Sequence, residues 1–218
     1  MMRHLVFLGP PGSGKGTQAA KLAAEMKIRY LSTGDLLRAA VSTGTELGRK
    51  ARGYMERGEL VPDALLVGLI EATIRAGELD HGFILDGFPR TVPQAEALRD
   101  MLNGNGKELD AAVLLAVSDE EVVRRLSGRW FCPSCQATYN YPHHMPRREG
   151  RCDAEGAALE RRPDDQPEVV RRRLDVYKKQ TRPIEDFYRA AAILVEVQGE
   201  QPPEAVFADL LDIVGARK

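Results

Sequence analysis

The sequence predicts an α/β protein, a parallel sheet covered by helices on both faces, and three observations carry that prediction. Short apolar runs recur between stretches of helical spacing: Leu5-Val6-Phe7-Leu8, Ile28 to Leu31, Phe83-Ile84-Leu85, Ala111 to Val117 and Ile193 to Val197. Strands buried on both faces read as such unbroken runs, whereas strands with one wet face alternate. A glycine-rich turn, Gly9 to Thr17, joins the first run to a helical stretch, and Asp86 closes the run Phe83 to Leu85. Parallel folds place ligand groups at those carboxyl ends.

Taken in order, Gly9-Pro10-Pro11-Gly12-Ser13-Gly14-Lys15-Gly16-Thr17 meets the spacing G-x-x-x-x-G-K through Gly9, Gly14 and Lys15. Its strand-turn-helix context makes it a nucleotide phosphate cradle, with backbone N–H groups, a helix N-terminus and the mobile charge of Lys15 aimed at one anion. Gly16 stands where the general motif has a magnesium-binding Ser or Thr, and the hydroxyl comes later, at Thr17. The loop itself is therefore not expected to ligate magnesium directly.

Thr17 to Met26 has helical spacing, and Ser32 or Thr33 followed by Asp35 predicts the N-cap of a helix with Leu36, Leu37, Ala40 and Val41 on its buried side. Glu46 to Arg57 reads as a polar helix, and Leu65, Leu66, Leu69 and Ile70 give Ala64 to Ala76 an apolar face. Residues 32–62 thus form a helical insertion with little core of its own, expected to move against the main domain. Asp86, a carboxylate at a strand end, is placed to hold magnesium or its waters. Arg90 follows just beyond it, close to the phosphates, and Pro93 to Leu102 reads as a helix. Ser118-Asp119-Glu120 caps a helix ending at Ser127-Gly128. A charged helix then runs from Pro163 to about Tyr188, bent or broken at Pro183, and Pro203 to Val214 closes the chain.

Between these lies a change of composition. Residues 129–162 hold all three cysteines, Trp130, Tyr139, Tyr141, His143 and His144, with no helical period. Cys132-x-x-Cys135 puts two thiolates on one turn, and Cys152 follows at a spacing found in zinc ribbons. The expected organisation is core over 1–31, 63–128 and 163–218, with insertions at 32–62 and 129–162.

With 31 basic and 32 acidic residues in 218, bulk charge offers no argument for a nucleic acid or an anionic membrane as partner. No apolar run reaches the length of a membrane span, and Met1-Met2-Arg3-His4 leads straight into a strand without signal-peptide architecture, so a cytoplasmic monomer is expected. Three clustered cysteines argue against a secreted disulfide framework.

Read together, Gly9 to Gln18, Ser32 to Arg38, Leu60-Val61-Pro62-Asp63, Gly82 to Thr91, Arg125 to Arg129, Arg162-Pro163-Asp164-Asp165 and Arg173 make this chain resemble the adenylate kinase family in its bacterial-type form with the long lid. The Gly16-Thr17 departure is that family's own form of the cradle. The resemblance spans nearly the whole chain and implies the nucleoside monophosphate kinase version of the phosphate-loop fold. It also implies magnesium-dependent, reversible phosphoryl transfer between ATP and AMP, giving two ADP.

By resemblance, Gly12, Ser13, Gly14, Lys15, Gly16 and Thr17 hold the ATP phosphates, and Arg125, Arg129, Thr138, Tyr139 and the backbone near Gln201 contact the rest of ATP. AMP would lie against Thr33, Arg38, the backbone of Glu59, Leu60 and Val61, and Gly87, Phe88, Pro89, Arg90 and Gln94. Arg162 and Arg173 would serve AMP and, with Lys15, Arg90 and Arg129, the group in flight. The family's metal-bearing lids put the fourth zinc ligand three residues after the third cysteine, here Glu155, with Asp153, His143 and His144 as alternatives. Two other readings compete with this one: a nucleoside monophosphate kinase of other base preference, differing around Thr33, Val61 and Gln94, and a zinc-ribbon nucleic-acid module. The second lacks a basic footprint and leaves the cradle unexplained.

Overall fold

The computed structural model describes residues 3–135, 137–141 and 144–216. Five parallel strands form one sheet in the order β2-β3-β1-β4-β7. They are β1 (His4–Leu8), β2 (Arg29–Ser32), β3 (Phe83–Asp86), β4 (Ala111–Ala116) and β7 (Leu194–Gln198), while β5 (Arg129–Phe131) and β6 (Thr138–Asn140) make a separate antiparallel hairpin. Side chains alternate between sheet faces, so Leu5 and Phe7 pack on one side with Ala19, Leu22, Val206 and Leu210. Val6 and Leu8 pack on the other with Leu66, Ile70, Leu98 and Ile184. Both faces are covered, which is why the strands could be read as unbroken apolar runs.

The helices on those faces are α1 (Lys15–Met26) and α9 (Pro203–Ala216) on the first, and α4 (Asp63–Arg75), α5 (Val92–Gly104) and α8 (Pro183–Ala190) on the second. The remaining helices are α2 (Thr33–Ser42), α3 (Glu46–Glu56), α6 (Asp119–Ser127) and α7 (Pro167–Val176). Side-chain caps set several starts. Ser32 accepts from the Asp35 N–H at 3.2 Å, Thr91 from Gln94 at 3.3 Å and Ser118 from Glu121 at 3.4 Å. None of the helices among the described residues is long and apolar enough to cross a membrane.

Two regions differ from the sequence reading. The charged helix expected from Pro163 to about Tyr188 does break at Pro183, but it is divided further, into a 3₁₀ turn at Pro163–Asp165, then α7, then a π-helical turn at Tyr177–Thr181, then α8. Pro183 lacks an N–H and its ring crowds the carbonyl four residues back, and the wider turn absorbs both faults. The residue 129–162 insertion, read as lacking a helical period and organised by its cysteines, contains the β5–β6 hairpin and a small core of Cys132, Tyr139, Cys152 and Leu159.

The α2–α3 segment is less separate than its polar sequence implies, because Leu37, Ala51 and Val61 join the main core cluster. Its two helices meet at Gly48, where a Cβ would lie 2.0 Å from the Ala40 carbonyl oxygen and 2.6 Å from the Val41 nitrogen. Both neighbours are backbone, so a methyl can be accommodated only by parting the helices. Gly48→Ala should therefore cost about 1–3 kcal/mol and lower Tm by about 3–10 °C in a thermal melt. An unchanged Tm would show that the helices are not pressed together there.

Candidate active site

β1 and β3 lie in register with Phe7 opposite Asp86, so the loop after β1 and the Asp86 carboxylate reach the same edge of the sheet. Strand order reverses at β1, with β3 on one side and β4 on the other. Such a switch point opens a crevice at the carboxyl ends of the strands, and here it is a cleft of about 1330 Å³. Gly14 takes a left-handed φ of 93° and leads into α1 without a side-chain cap, which leaves the first N–H groups of the helix directed to the cleft. Gly12 to Thr17 all line it.

Lys15 folds back on this loop, its Nζ donating to the carbonyls of Gly9 at 2.7 Å and Pro10 at 2.8 Å. Its side chain keeps some exposed area yet lies deep in the fold. Burial pushes its pKa down to about 8, Asp86 opposes that shift, and Arg90, Arg173 and Arg129 add to it. Asp86 accepts a hydrogen bond at 3.1 Å from the hydroxyl of Tyr30. Burial, then Asp86, holds the Tyr30 phenol well above its usual range, so it remains an O–H donor at neutral pH.

Five arginines converge opposite the loop. Arg129 makes a two-pronged pair with Asp165, Nε to Oδ2 at 2.7 Å and Nη2 to Oδ1 at 2.5 Å. Arg173 donates to Asp164 at 2.7 Å, Arg90 Nε to the Gly87 carbonyl at 2.8 Å, and Arg162 lies 5.4 Å from the Phe131 ring. Arg38, on α2, pairs with Asp35. Burial lowers the pKa of Arg90 and Arg173, and burial together with Arg38 and Arg129 takes Arg162 down to about 10. Among the described residues, the buried Nε of Arg38 and of Arg162 have no hydrogen-bond partner. Buried unpaired donors are costly, and an anion in the cleft would answer them.

The remaining candidates fall on two walls. Thr33, Arg38, Glu59, Leu60, Val61, Gly87 and Pro89 line one, and Arg125, Thr138, Tyr139 and Gln201 line the other. Arg125 ties that second wall together, donating to Glu121 at 2.6 Å, to the Ser13 carbonyl at 3.2 Å and to the Gly199 carbonyl at 2.8 Å. Phe88 and Gln94 do not line the cleft. Phe88 is fully buried in the core, and Gln94 spends both ends of its amide, accepting from the Arg90 N–H at 2.7 Å and donating to Asp63 at 2.6 Å.

Sequence reading missed the carboxylates that hold the arginines, Asp35, Asp164 and Asp165, and it missed Tyr30. Asp164-Asp165 was visible as a helix start and as part of a family motif, with no arginine partner assigned, and nothing local ties Tyr30 to a residue 56 positions away.

In the insertion, the Sγ atoms of Cys132, Cys135 and Cys152 lie within 4.8 Å of one another, with Cys135 and Cys152 at 3.5 Å. Tetrahedral zinc with Zn–S bonds of about 2.3 Å needs sulfurs roughly 3.8 Å apart, so the three fit that ion. The backbone N–H of Glu155, the Tyr139 hydroxyl and the backbone of Ala154 favour the Cys152 thiolate, whose pKa is drawn down to about 7. The Glu155 side chain is exposed and, like Asp153 and His144, stands outside the three-sulfur group. Asp153 is engaged with the Arg147 N–H at 2.8 Å, His144 stacks on Tyr139, and His143 lies outside the described residues.

Comparison with known proteins finds matches along nearly the whole chain. A family model described as adenylate kinase matches residues 7–193. An adenylate kinase of Lachnospira eligens is 48% identical over 211 residues, covering 97% of this chain and 99% of that protein. Adenylate kinases of Archaeoglobus fulgidus and Oceanobacillus iheyensis are 46% and 44% identical, covering 95% and 97% of this chain and 95% and 98% of theirs.

The depressed Lys15 pKa has a signed consequence. Between pH 8 and 10.5 the folded chain binds fewer protons at Lys15 than the unfolded chain, so stability rises with pH across that window. Below it, the cost of burying the charge is fully present. Lys15→Met, which removes that cost, should gain about 2–5 °C in Tm relative to the parent at pH 7 compared with pH 10. Thermal melts of both proteins at the two pH values check this, and a Tm difference independent of pH would contradict it.

Proposed function

The chain belongs to the adenylate kinase family and catalyses reversible phosphoryl transfer from ATP to AMP, and from that premise we propose how its residues divide the work. The observation that carries the assignment is the convergence of Lys15, Arg38, Arg90, Arg129, Arg162 and Arg173 on one cleft beside the glycine-rich loop. ATP lies with its phosphates along Gly12 to Thr17 and its nucleoside against Arg125, Thr138, Tyr139 and the turn at Gln201. AMP lies against Thr33, Glu59, Leu60, Val61, Gly87 and Pro89, its phosphate held by Arg38, Arg90 and Arg173. Phe88 supports this wall from the core, and Gln94 acts through the Arg90 backbone that it holds.

The reaction needs alignment and charge compensation more than covalent help. An AMP phosphate oxygen attacks the terminal phosphorus of ATP, so the acceptor supplies its own nucleophile and no general base is required. Lys15 leaves the Gly9 and Pro10 carbonyls for the phosphates, and Arg90, Arg129, Arg162 and Arg173 follow the charge as it moves. Planar guanidinium groups meet two phosphate oxygens at once, which an ammonium group does not. Residues 32–62 and 129–162 are the movable segments that exclude water, the competing acceptor. Magnesium, when bound, would neutralise phosphate charge, and Asp86 is the residue that would hold it through water.

The lid carries a structural zinc ion on Cys132, Cys135 and Cys152, with Glu155 as fourth ligand once its side chain turns inward. Cysteines that must stay reduced to hold a metal suit a reducing compartment, and the chain works in the cytoplasm as a monomer.

Three measurements test these assignments. With ATP and magnesium, a coupled assay should show ADP production with AMP at least about 100-fold faster than with UMP, CMP or GMP, as expected where polar contacts read the base. Equal rates with another monophosphate would favour the different base preference. Arg90→Lys should lose about 2–4 kcal/mol of transition-state stabilisation, nearly as much as Arg90→Ala, and recovery of most activity by lysine would reduce Arg90 to a point charge. Metal analysis should find about one zinc per chain, lost together with thermal stability in Cys132→Ser. Protein purified without chelator that contains no zinc would end that assignment, and unchanged zinc in Glu155→Ala would move the fourth ligand elsewhere.

A further inference from the structure

Gly16 occupies the position at which a general phosphate loop carries its magnesium hydroxyl, and the space beside it is already taken. A Cβ on Gly16 would lie 3.2 Å from Asp86 Oδ2 and 3.3 Å from Tyr30 Oη. Those two oxygens are themselves bonded at 3.1 Å. Strand pairing brings them together: β2 and β3 run parallel with Tyr30 opposite Ile84 and Ser32 opposite Asp86, so Tyr30 stands one step below the carboxylate at the sheet edge. The hydroxyl donates to Oδ2, and Lys15, from the adjoining helix start, bears on the same carboxylate. A carboxylate that holds an ion through water must present its remaining lone pairs in a fixed direction, and hydrogen bonds to the ligand's other oxygen are what set that direction.

We propose that Tyr30 is a positioning residue for magnesium: its hydroxyl pins Oδ2 of Asp86 and turns the rest of the carboxylate toward the waters of the nucleotide-bound ion. The Gly16–Asp86–Tyr30 arrangement does here what a loop hydroxyl does in the general motif. This inference rests on the assignment of Asp86 to magnesium, and the residues suit that ion: a hard oxygen donor at the strand end, beside the phosphate loop, without sulfur or imidazole.

The test is a binding measurement on the whole protein, using manganese as a paramagnetic stand-in read by its spin-resonance signal in the presence of ATP. Tyr30→Phe keeps the ring and removes only the hydroxyl. It should weaken manganese binding to the protein–ATP complex about three- to tenfold, raise the magnesium concentration for half-maximal turnover by the same factor, and leave metal-free ATP affinity within about twofold, in line with outer-shell changes at metal sites. Tyr30→His, which retains a ring N–H donor, should recover part of the loss. A folded Tyr30→Phe protein with parental manganese affinity overturns the proposal, as does a loss confined to thermal stability. Asp86→Asn separates the two levels. If it weakens manganese binding while Tyr30→Phe does not, only the role of Tyr30 fails, and if Asp86→Asn leaves binding unchanged, the magnesium assignment fails with it.

Discussion

Positive charge held out of water in one place is the constraint on which this structure depends. Lys15, Arg90, Arg162 and Arg173 are all shifted toward the neutral form, with burial the first cause in each case and mutual repulsion contributing. Such a cluster persists only because other parts of the fold oppose it. Asp164 and Asp165 hold Arg173 and Arg129, Asp35 holds Arg38, and backbone carbonyls hold Lys15 and Arg90. The compensation is incomplete, as the unpartnered Nε atoms of Arg38 and Arg162 show. A phosphate-rich ligand completes it, so the interactions that recognise substrate are the ones the folded chain lacks.

This arrangement also links the cleft to the 129–162 insertion. The carboxylates that hold the arginines compete with phosphate for the same donors, and Asp164 and Asp165 sit in the 3₁₀ turn that joins the lid to α7. The pairs Arg129–Asp165 and Arg173–Asp164 therefore tie the end of the 129–162 insertion to the cleft. The lid answers with its own small core around Cys132, Tyr139, Cys152 and Leu159. So few apolar side chains give little burial, and the three convergent sulfurs are a donor set of the kind through which a metal supplies folding energy to a small insertion.

The β5–β6 hairpin shows why part of the fold was not legible in advance. Each strand has only three residues, with Trp130 opposite Tyr139, and all six positions are polar or aromatic, too short a stretch for an apolar period to show. Cross-strand pairing, not local propensity, makes them strands. The π-helical turn at Tyr177–Thr181 has the same origin, since Pro183 announces a fault in the helix without specifying how the chain accommodates it.

What the sequence by itself determined was the set of local signals. The phosphate loop with its strand and helix, the caps at Ser32 and Ser118, the apolar strands, the paired cysteine spacing and the order of motifs that marks the family are all written in contiguous residues. Tertiary structure decided everything that depends on distant parts meeting: which carboxylate holds which arginine, that Gln94 faces Asp63 and Arg90 and not the cleft, and that Glu155 stands aside from the sulfurs. The physical reason is range. Propensity, capping and turn geometry act over a few residues, whereas the contacts between Tyr30 and Asp86 or Arg129 and Asp165 join side chains 56 and 36 positions apart, brought together only by parallel strand pairing and by the return of the chain after the lid.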